Sequence, residues 1–348
     1  MTATRGGIET YIYNLADEMK ESVRFDFLTH FHDMVFAEEM KARGSKVYYI
    51  PGKSKGIVKH LRALGSFLKK HKEYDVIYIN IMDPMVFPTV WMMRLFGRKC
   101  VVHSHNGDVM KKLPERVCRV FLNMGTSRRM ACSENAAEYM FGKKKAKSTV
   151  IIHNKIDTDR FVYDEKVRNA KREELGIMDE FVLCHVGRLT WQKNPLGVID
   201  ILAETVKSDQ NIVLLSAGVG DLESETKEYA KQKGVDKYIR FLGARTDVNE
   251  LMQAADVFLL PSFYEGLPIV GVEAQASGLP CFFSDQITRE TDITGNVKFL
   301  PLGEHGRWAE EILACRGKNR ENYRRQVEEN GYDLKHPSDK MIISECFK

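Results

Sequence analysis

The chain has 348 residues, of which 43% are hydrophobic and 29% are charged, and its formal net charge is +4. This length favours two domains over a single core, and seven scattered cysteines without a C-x-x-C pair argue against a disulfide framework or a structural zinc site. The most apolar stretch, residues 85–96, is broken by Pro88 and Arg94 and is shorter than the roughly 20 residues of a membrane span, so we expect a soluble, cytoplasmic protein.

The charge is unevenly distributed along the chain. Residues 1–160 contain 28 Lys and Arg against 17 Asp and Glu, whereas residues 161–348 contain 24 against 31. A basic first half is typical of a protein that rests on an anionic membrane or holds an acidic acceptor, and equally of solvated helix faces without a partner. Nucleic acid is a less favoured partner, because no aromatic residues alternate with the lysines.

A glycine pair, Gly6 and Gly7, opens the chain's first predicted helix, whose apolar residues recur at helical spacing. Glycines at this position let backbone N–H groups approach an anion or a sugar. The residues before the pair do not read as a β-strand, so we expect the helix to come first.

Short β-rich runs then alternate with helical patterns, which predicts an α/β protein with two doubly wound parallel sheets. The charged stretch 164–176 is the predicted boundary region, with one domain at 1–160, a second at 161–334, and residues 335–348 as a helix that crosses back to the first. The predicted strands are Phe25–Thr29, Lys46–Pro51, Asp75–Asn80, Lys99–His105, Met130–Ser133 and Thr149–His153 in the first half, and Phe181–Val186, Asn211–Ala217, Ile239–Gly243, Val257–Pro261, Cys281–Ser284 and Val297–Pro301 in the second.

Polar residues cluster at the end of the fourth predicted strand, in the run His103-Ser-His105-Asn-Gly-Asp108. Ligands of open parallel sheets collect at the carboxyl ends of the strands, which for two sheets means the cleft between domains. Two histidines two residues apart on a strand point the same way, so a metal site and a substrate clamp are both open interpretations. We favour His105 as the group that faces a substrate sugar and His103 as a structural histidine.

The first strand of the second half leads through Gly187 and Arg188 to Lys193 and a helix start. Two cations five residues apart, next to a helix N-terminus, suit a diphosphate. Farther on, the Gly-x-Gly of residues 218–220 lacks the third glycine of a dinucleotide fingerprint. It is interpreted as a tight turn, either beside a nucleotide or with a structural role alone.

Two carboxylates eight residues apart, Glu265 and Glu273, surround the turn that opens the next helix. Pro268 in the first turn and Gly278 at the end place Glu273 mid-helix among aliphatic residues. Since ionised glutamates are rarely buried without a partner, we expect Glu273 to accept hydrogen bonds from the hydroxyls of a ribose. The N–H groups of Gly266 and Leu267 are expected to add a contact to an anion. A mid-helix glycine, Gly271, predicts a close approach by a backbone or a ligand.

These motifs together resemble glycosyltransferase family 4, the retaining, nucleotide-sugar-dependent group with a GT-B fold of two facing Rossmann-like domains, close to capsular and exopolysaccharide enzymes. The resemblance is carried by Gly6-Gly7-Ile8-Glu9, residues 102–106, residues 150–157, Val186-Gly-Arg-Leu with Lys193-Asn-Pro, and above all Glu265-Gly-Leu-Pro with Glu273.

The resemblance implies a role for each site residue. Arg188 and Lys193 would hold the donor diphosphate, Glu273 the ribose and Glu265 the donor-sugar hydroxyls. His105 would lie near the reacting carbon, and Gly6 and Gly7 at the diphosphate or acceptor side. It also implies transfer of a hexose or N-acetylhexosamine, UDP-linked by preference, to a glycan or lipid-linked glycan acceptor, without a metal or other cofactor.

The chain departs from the family pattern in two places. The first N-terminal strand, central in the family's sheet, is missing ahead of the glycine pair, and Lys155 replaces the glycine that usually follows Asn154. Two alternatives remain: a nucleotide-sugar epimerase of the same fold and, suggested by the missing first strand, a degenerate nucleotide-binding subunit without catalysis.

Overall fold

A computed structural model describes residues 6–107, 113–335 and 343–345 of the chain. The chain forms two compact units, Met1–Lys155 with His336–Lys348, and Ile156–Lys335. The division thus falls after Lys155, whereas the sequence pattern had placed it after residue 160. None of the helices within the described ranges has the length and apolar character needed to cross a membrane.

The first unit alternates helices with short parallel strands. Its strands are β1 (Phe27–Thr29), β2 (Val47–Tyr49), β3 (Val76–Ile81), β4 (Lys99–Ser104), β5 (Arg128–Ala131) and β6 (Val150–Ile151). Its helices are α1 (Gly7–Glu18), α2 (Ala37–Ala42), α3 (Ile57–Lys70), α4 (Phe87–Leu95), α5 (Leu113–Gly125), α6 (Glu134–Phe141) and α7 (Lys143–Ala146).

The strands of this unit form two separate parallel sheets, one of β1 and β2 and one in the order β3-β4-β5-β6. Both sheets separate the same two apolar clusters. Leu28 of β1 and Ile77 of β3 face the cluster beneath α3 and α4, while Phe27 and Val76 face the cluster beneath α1. Because β1 and β3 occupy one layer but share no ladder, the described residues leave a break between these two strands.

Burial along the strands agrees with such a break. Residues 100–104 of β4 are fully buried, whereas residues 76–80 of β3 are all half-buried, as expected for a strand that lacks a neighbour on one side. This is where the strand expected to be missing from the family's sheet would lie. Residues 1–5, ahead of the glycine pair, lie outside the described residues.

The second unit holds a single parallel sheet of six strands. Its strands are β7 (Phe181–Val186), β8 (Ile212–Ala217), β9 (Ile239–Gly243), β10 (Val257–Leu260), β11 (Cys281–Ser284) and β12 (Val297–Leu300). Its helices are α8 (Glu165–Glu174), α9 (Pro195–Ser208), α10 (Glu223–Gln232), α11 (Val248–Ala254), α12 (Ile269–Ala276), α13 (His305–Leu313) and α14 (Arg324–Glu329). All twelve predicted strands are therefore present, with ends that shift by up to two residues.

The strand order of this sheet is β9-β8-β7-β10-β11-β12. Numbered within the unit, this is the order 3-2-1-4-5-6 of a doubly wound nucleotide-binding fold. Continuous apolar runs such as Val257–Leu260 are typical of a strand that is covered on both faces. One face of the sheet packs on α9 and α13 around the fully buried Trp308. The order reverses between β7 and β10, and this switch point is where such sheets bind ligands.

The charged helix predicted for the boundary region is α8, and it belongs to the second unit. Arg168 donates to the carbonyl oxygens of Gln253, Ala254 and Ala255 at the end of α11, at 3.1, 3.0 and 2.7 Å. These carbonyls lack intrahelical partners and carry the negative end of the helix dipole, so a guanidinium stabilises them. The charges of the stretch thus anchor the helix rather than mark a linker.

Candidate functional site

The loops that follow β7 and β10 are bound to each other at the switch point of the second unit's sheet. The turn Trp191–Lys193 follows β7, and the carbonyl oxygen of Gln192 accepts a hydrogen bond of 2.9 Å from the backbone N–H of Phe263. The Gln192 side chain donates to the Tyr264 carbonyl oxygen at 3.1 Å, and the rings of Trp191 and Phe263 stack at 4.6 Å. The motif after β7 and the motif after β10 are therefore in direct contact.

An ion pair joins these loops. Nζ of Lys193 lies 2.6 Å from Oε1 of Glu265, and the side chains are 15% and 7% exposed. Lys193 reaches this position across Gly187, where a Cβ atom would lie 3.4 Å from the Lys193 Cδ atom. The two residues that sequence reasoning assigned to the diphosphate and to the sugar thus neutralise each other.

Asn194 explains why the turn leads directly into α9. It adopts the left-handed conformation, with φ 52° and ψ 54°, which asparagine tolerates better than most residues. Its Oδ1 atom accepts the N–H of Gly197 at 3.1 Å and so caps the helix, while its Nδ2 atom donates to the Pro261 carbonyl oxygen at 3.1 Å. The N-terminus of α9 is thereby fixed beside Lys193.

Arg188 has the opposite environment to Lys193. Its side chain is exposed, and within the described parts of the chain it forms no hydrogen bond and no ion pair. A cation on a fixed loop beside a helix N-terminus suits an anionic ligand. This placement at the carboxyl end of β7 is where the sequence pattern had put it.

The glycines after β8 have a packing role. A Cβ atom on Gly218, whose φ is +145°, would lie 1.9 Å from the carbonyl oxygen of Gly187, and one on Gly220 would lie 2.3 Å from that of Leu189. Backbone hydrogen bonds of 3.1 and 2.9 Å, from Leu189 to Val219 and from Leu222 to Leu189, close this contact. The turn therefore supports the Arg188 loop from behind.

Helix α12 corrects two expectations. Glu273 is half-buried rather than enclosed, because it shares the partly open face of α12 with Ile269 while Val272 and Ala274 are buried. At Gly271 the closest protein contact is a side chain rather than a backbone, since a Cβ atom there would lie 2.8 Å from Cζ of Phe283 on β11. A larger residue at position 271 would clash with this aromatic side chain of the sheet.

The turn before α12 has the predicted form. Pro268 is the N-cap and Gly278, with φ +72°, follows the helix end, so both lie within one residue of their predicted places. Gly266 and Leu267 are buried just ahead of the helix, with Glu265 beside them at 6% exposure. The backbone at 266–267 thus leads from the Lys193 ion pair into the first turn of α12.

In the first unit the two histidines lie side by side at the end of β4. Their ring centroids are 4.2 Å apart, and the ring of Tyr11 from α1 lies 5.1 Å from that of His105. Nε2 of His105 bonds Oδ1 of Asn80 at 2.7 Å, and its buried Nδ1 atom has no partner among the described residues. Burial lowers the pKa of His105 to about 3, so its imidazole is neutral at physiological pH.

His103 is fully buried and bonded by the hydroxyl of Tyr78, which itself bonds that of Tyr11 at 2.8 Å. Burial and the neighbouring His105 lower its pKa well below the usual value. Asp108, the last residue of the polar run that begins at His103, lies outside the described residues. Within the described ranges no three His, Cys, Asp or Glu side chains form a group suited to a metal ion.

The glycine pair forms the start of α1. Gly6 is the N-cap in an extended conformation, with φ −136°, and Gly7 is the first helical residue. A Cβ atom on Gly6 would lie 2.8 Å from Oε2 of the buried Glu9. The carboxylate in the first turn, favoured there by the helix dipole, therefore lies against Gly6, and a larger residue at position 6 would displace the end of this side chain.

Sequence reasoning missed the residues that hold the site in place. Gln192 lies between Arg188 and Lys193 but was given no role, and Tyr78 and Asn80 were interpreted only as strand residues. The one signal for Asn80 is its position at the carboxyl end of a strand next to His103, its partner in the register of β3 and β4.

The comparisons with known proteins agree with this geometry. Residues 5–160 match the family model described as Glycosyltransferase Family 4, and residues 167–332 match the one described as Glycosyl transferases group 1. EpsF of Bacillus subtilis (strain 168), named as a glycosyltransferase, is 32% identical over 348 residues, which cover 94% of this chain and 90% of EpsF. The chain belongs to glycosyltransferase family 4.

Other relatives of this glycosyltransferase carry more specific names. A protein of Escherichia coli named UDP-Gal:alpha-D-GlcNAc-diphosphoundecaprenol alpha-1,3-galactosyltransferase is 28% identical over 258 residues, covering 69% of this chain and 66% of its own. The solved structure of Anabaena HepE in complex with UDP-glucose has a TM-score of 0.74 and 21% identity, and covers 99% of this chain and 93% of HepE. The fold is thus that of the GT-B glycosyltransferases.

Proposed function

We propose that this glycosyltransferase transfers a hexose or N-acetylhexosamine from a UDP-sugar to a hydroxyl of a glycan or lipid-linked glycan, with retention of the anomeric configuration and without a metal ion, in bacterial surface polysaccharide biosynthesis. The E. coli relative is named for a UDP-Gal donor and a diphosphoundecaprenol acceptor, and the HepE structure contains UDP-glucose. These names support the donor class and the acceptor class proposed here.

One observation carries the proposal, namely the joined loops at the switch point of the second sheet. They present the exposed Arg188 and the paired Lys193 beside the capped N-terminus of α9. Two cations and a helix N-terminus are a site for a diphosphate, because each neutralises charge that two phosphates carry. Glu265, paired with Lys193, would accept hydrogen bonds from hydroxyls of the sugar attached to that diphosphate.

The proposed reaction breaks the bond between the anomeric carbon and the oxygen of the β-phosphate. Negative charge grows on that oxygen, and Arg188, Lys193 and the α9 N-terminus stabilise it more in the transition state than in the ground state. The acceptor oxygen forms the new bond, and its proton passes to the departing phosphate oxygen. No side-chain nucleophile is needed in this scheme.

The remaining residues position the donor. Glu273, on the partly open face of α12, accepts the ribose hydroxyls. His105 serves as a neutral hydrogen-bonding group for the sugar, because its depressed pKa keeps a positive charge away from the reacting carbon. The N–H groups at Gly6 and Gly7 lie at the start of α1, where they can bind the diphosphate or the acceptor.

A calorimetric titration with UDP, GDP and ADP tests the donor assignment, and we expect UDP to bind most tightly. Glu273→Ala should weaken all three, since each carries a ribose. Tighter binding of GDP than of UDP would indicate a GDP-sugar as the donor. Unchanged nucleotide affinity in Glu273→Ala would show that this residue does not bind the ribose.

Transfer itself is tested by incubating labelled UDP-sugars with undecaprenyl-diphosphate-linked glycans in the presence of a chelator. We expect a glycosylated lipid whose new linkage, by nuclear magnetic resonance, has the anomeric configuration of the donor. A changed nucleotide sugar formed without acceptor would indicate an epimerase. Nucleotide binding with no product under any of these conditions would indicate a non-catalytic subunit.

A further inference from the structure

Helix α5 of the first unit exposes an apolar stripe to solvent. Val117, Val120, Phe121 and Met124 are 49%, 57%, 42% and 64% exposed, and their spacing places them on one face of the helix. The opposite face contributes Leu122 to the core. The stripe is therefore extra to the packing of the fold, since α5 already has a buried face.

The stripe continues onto neighbouring elements. The ring of Phe121 stacks on that of Phe87 in α4 at 5.5 Å, and Nε1 of Trp91 donates to the Phe121 carbonyl oxygen at 2.9 Å, so α4 and α5 form one surface. Leu95, at the end of α4, is 75% exposed, and Met85, just before α4, is 56% exposed. We call this surface the α4–α5 face.

Exposed hydrophobic side chains are more frequent in the first unit than in the second. Of the fifteen large hydrophobic side chains found exposed among the described residues, eleven belong to the first unit and four to the second. Single exposed apolar side chains are normal, but a contiguous group marks a surface that another body covers.

The charges around the α4–α5 face indicate what kind of partner binds there. The sequence from residue 84 to residue 129 contains nine Lys and Arg and two Asp and Glu. Arg116 borders the stripe on α5, and Arg94 and Arg128 lie exposed near its end. An apolar stripe bordered by cations is typical of a helix that lies in the interface of an anionic bilayer.

A second copy of the chain fits this face less well. A two-fold contact would bring each basic border against itself, and like charges placed together across an interface are unfavourable. We propose that the α4–α5 face docks on the surface of an anionic lipid bilayer, with the apolar stripe in the interfacial layer and the arginines at the lipid headgroups. This inference concerns the first unit alone and does not depend on the donor or the reaction proposed above.

Flotation of the full chain with lipid vesicles tests the proposal. We expect the protein to float with phosphatidylcholine vesicles that contain phosphatidylglycerol, to float far less with phosphatidylcholine alone, and to be released by high salt, because salt screens the arginines. Failure to float with the anionic vesicles would overturn the proposal.

Two variants separate the apolar and the charged contributions. Val120→Glu with Met124→Glu, and Arg116→Glu with Arg128→Glu, should each lower the bound fraction at least tenfold while UDP binding stays unchanged. Met178→Glu is the matched control, since Met178 is 81% exposed in the second unit and should leave flotation intact. All five substituted residues are exposed, and UDP binding also reports that each variant is folded.

Size-exclusion chromatography with light scattering tests the alternative that a second copy of the chain covers the α4–α5 face. We expect a monomer whose mass is the same in Val120→Glu with Met124→Glu. A dimer that this variant splits would assign the face to a second copy, and flotation of the variant at the level of the unchanged protein would remove the stripe from any membrane contact.

Discussion

Replacing Glu265 with glutamine should separate nucleotide binding from transfer. Lys193 is neutralised by Glu265 at 2.6 Å, so a diphosphate that binds Lys193 must compete with this carboxylate. Glutamine keeps the shape and removes the charge. We expect Glu265→Gln to bind UDP more tightly by about 1 kcal/mol, roughly fivefold. It should lose most of its transferase activity, because an NH₂ donor replaces one carboxylate oxygen and the sugar hydroxyls no longer bind a charged acceptor.

The same change should lower the stability of the unliganded protein. Lys193 is 15% exposed, so it lies between a surface pair, whose loss costs up to about 1 kcal/mol, and a buried pair, whose loss costs about 3–5 kcal/mol. We expect a loss of about 2 kcal/mol, which corresponds to a fall of roughly 4–8 °C in Tm for a unit of this size.

Titration calorimetry and thermal unfolding with and without UDP measure both effects. Asp200→Asn is the matched control, since Lys233 lies 2.7 Å from Asp200 in a more exposed pair on the same unit. It should leave UDP affinity unchanged. If Glu265→Gln weakens UDP binding as much as Lys193→Met does, the carboxylate supports the diphosphate site rather than competing for it, and the reasoning is refuted.

Three further predictions concern stability. Gly218→Ala, whose Cβ would lie 1.9 Å from the Gly187 carbonyl oxygen, should cost about 3 kcal/mol, whereas Gly234→Ala, at φ +71° with open space, should cost about 1 kcal/mol in the same denaturant titration. Burial lowers the pKa of His185 from 6.5 to about 4, so between these pH values the unfolded chain binds a proton that the folded chain does not. The free energy of unfolding should therefore fall by about 3 kcal/mol from pH 6.5 to 4. A flat pH profile, or the same fall in His185→Gln, would contradict this. An apolar segment of about six residues attached ahead of Gly6 should pair with β1 and β3 and raise Tm, and an equal rise with a proline-containing segment would refute strand pairing.

The motifs of the second unit could be predicted because their chemistry is local. A glycine turn, cations and a helix start follow β7 in this order, and the run from Gly187 to Pro195 contains them all. What the sequence could not show is that Lys193 and Glu265, 72 residues apart, already neutralise each other. That pairing depends on which strands are neighbours, and only the strand order places β7 beside β10.

Glu273 and Gly271 show the same limit. The apolar composition of α12 predicted that every face is covered, but a helix packed against one sheet leaves a strip open, and Glu273 lies on that strip. The glycine that sequence reasoning assigned to a backbone or a ligand instead makes room for Phe283, a residue of another strand.

The amino-acid sequence by itself determined the alternation of strands and helices, because β-branched runs and capping residues act over a few positions. It also determined the cations and carboxylates available at the strand ends. Only the tertiary structure decided which of these groups meet, which are neutralised, and that α5 keeps an apolar face in solvent, because burial and pairing depend on neighbours that are distant along the chain.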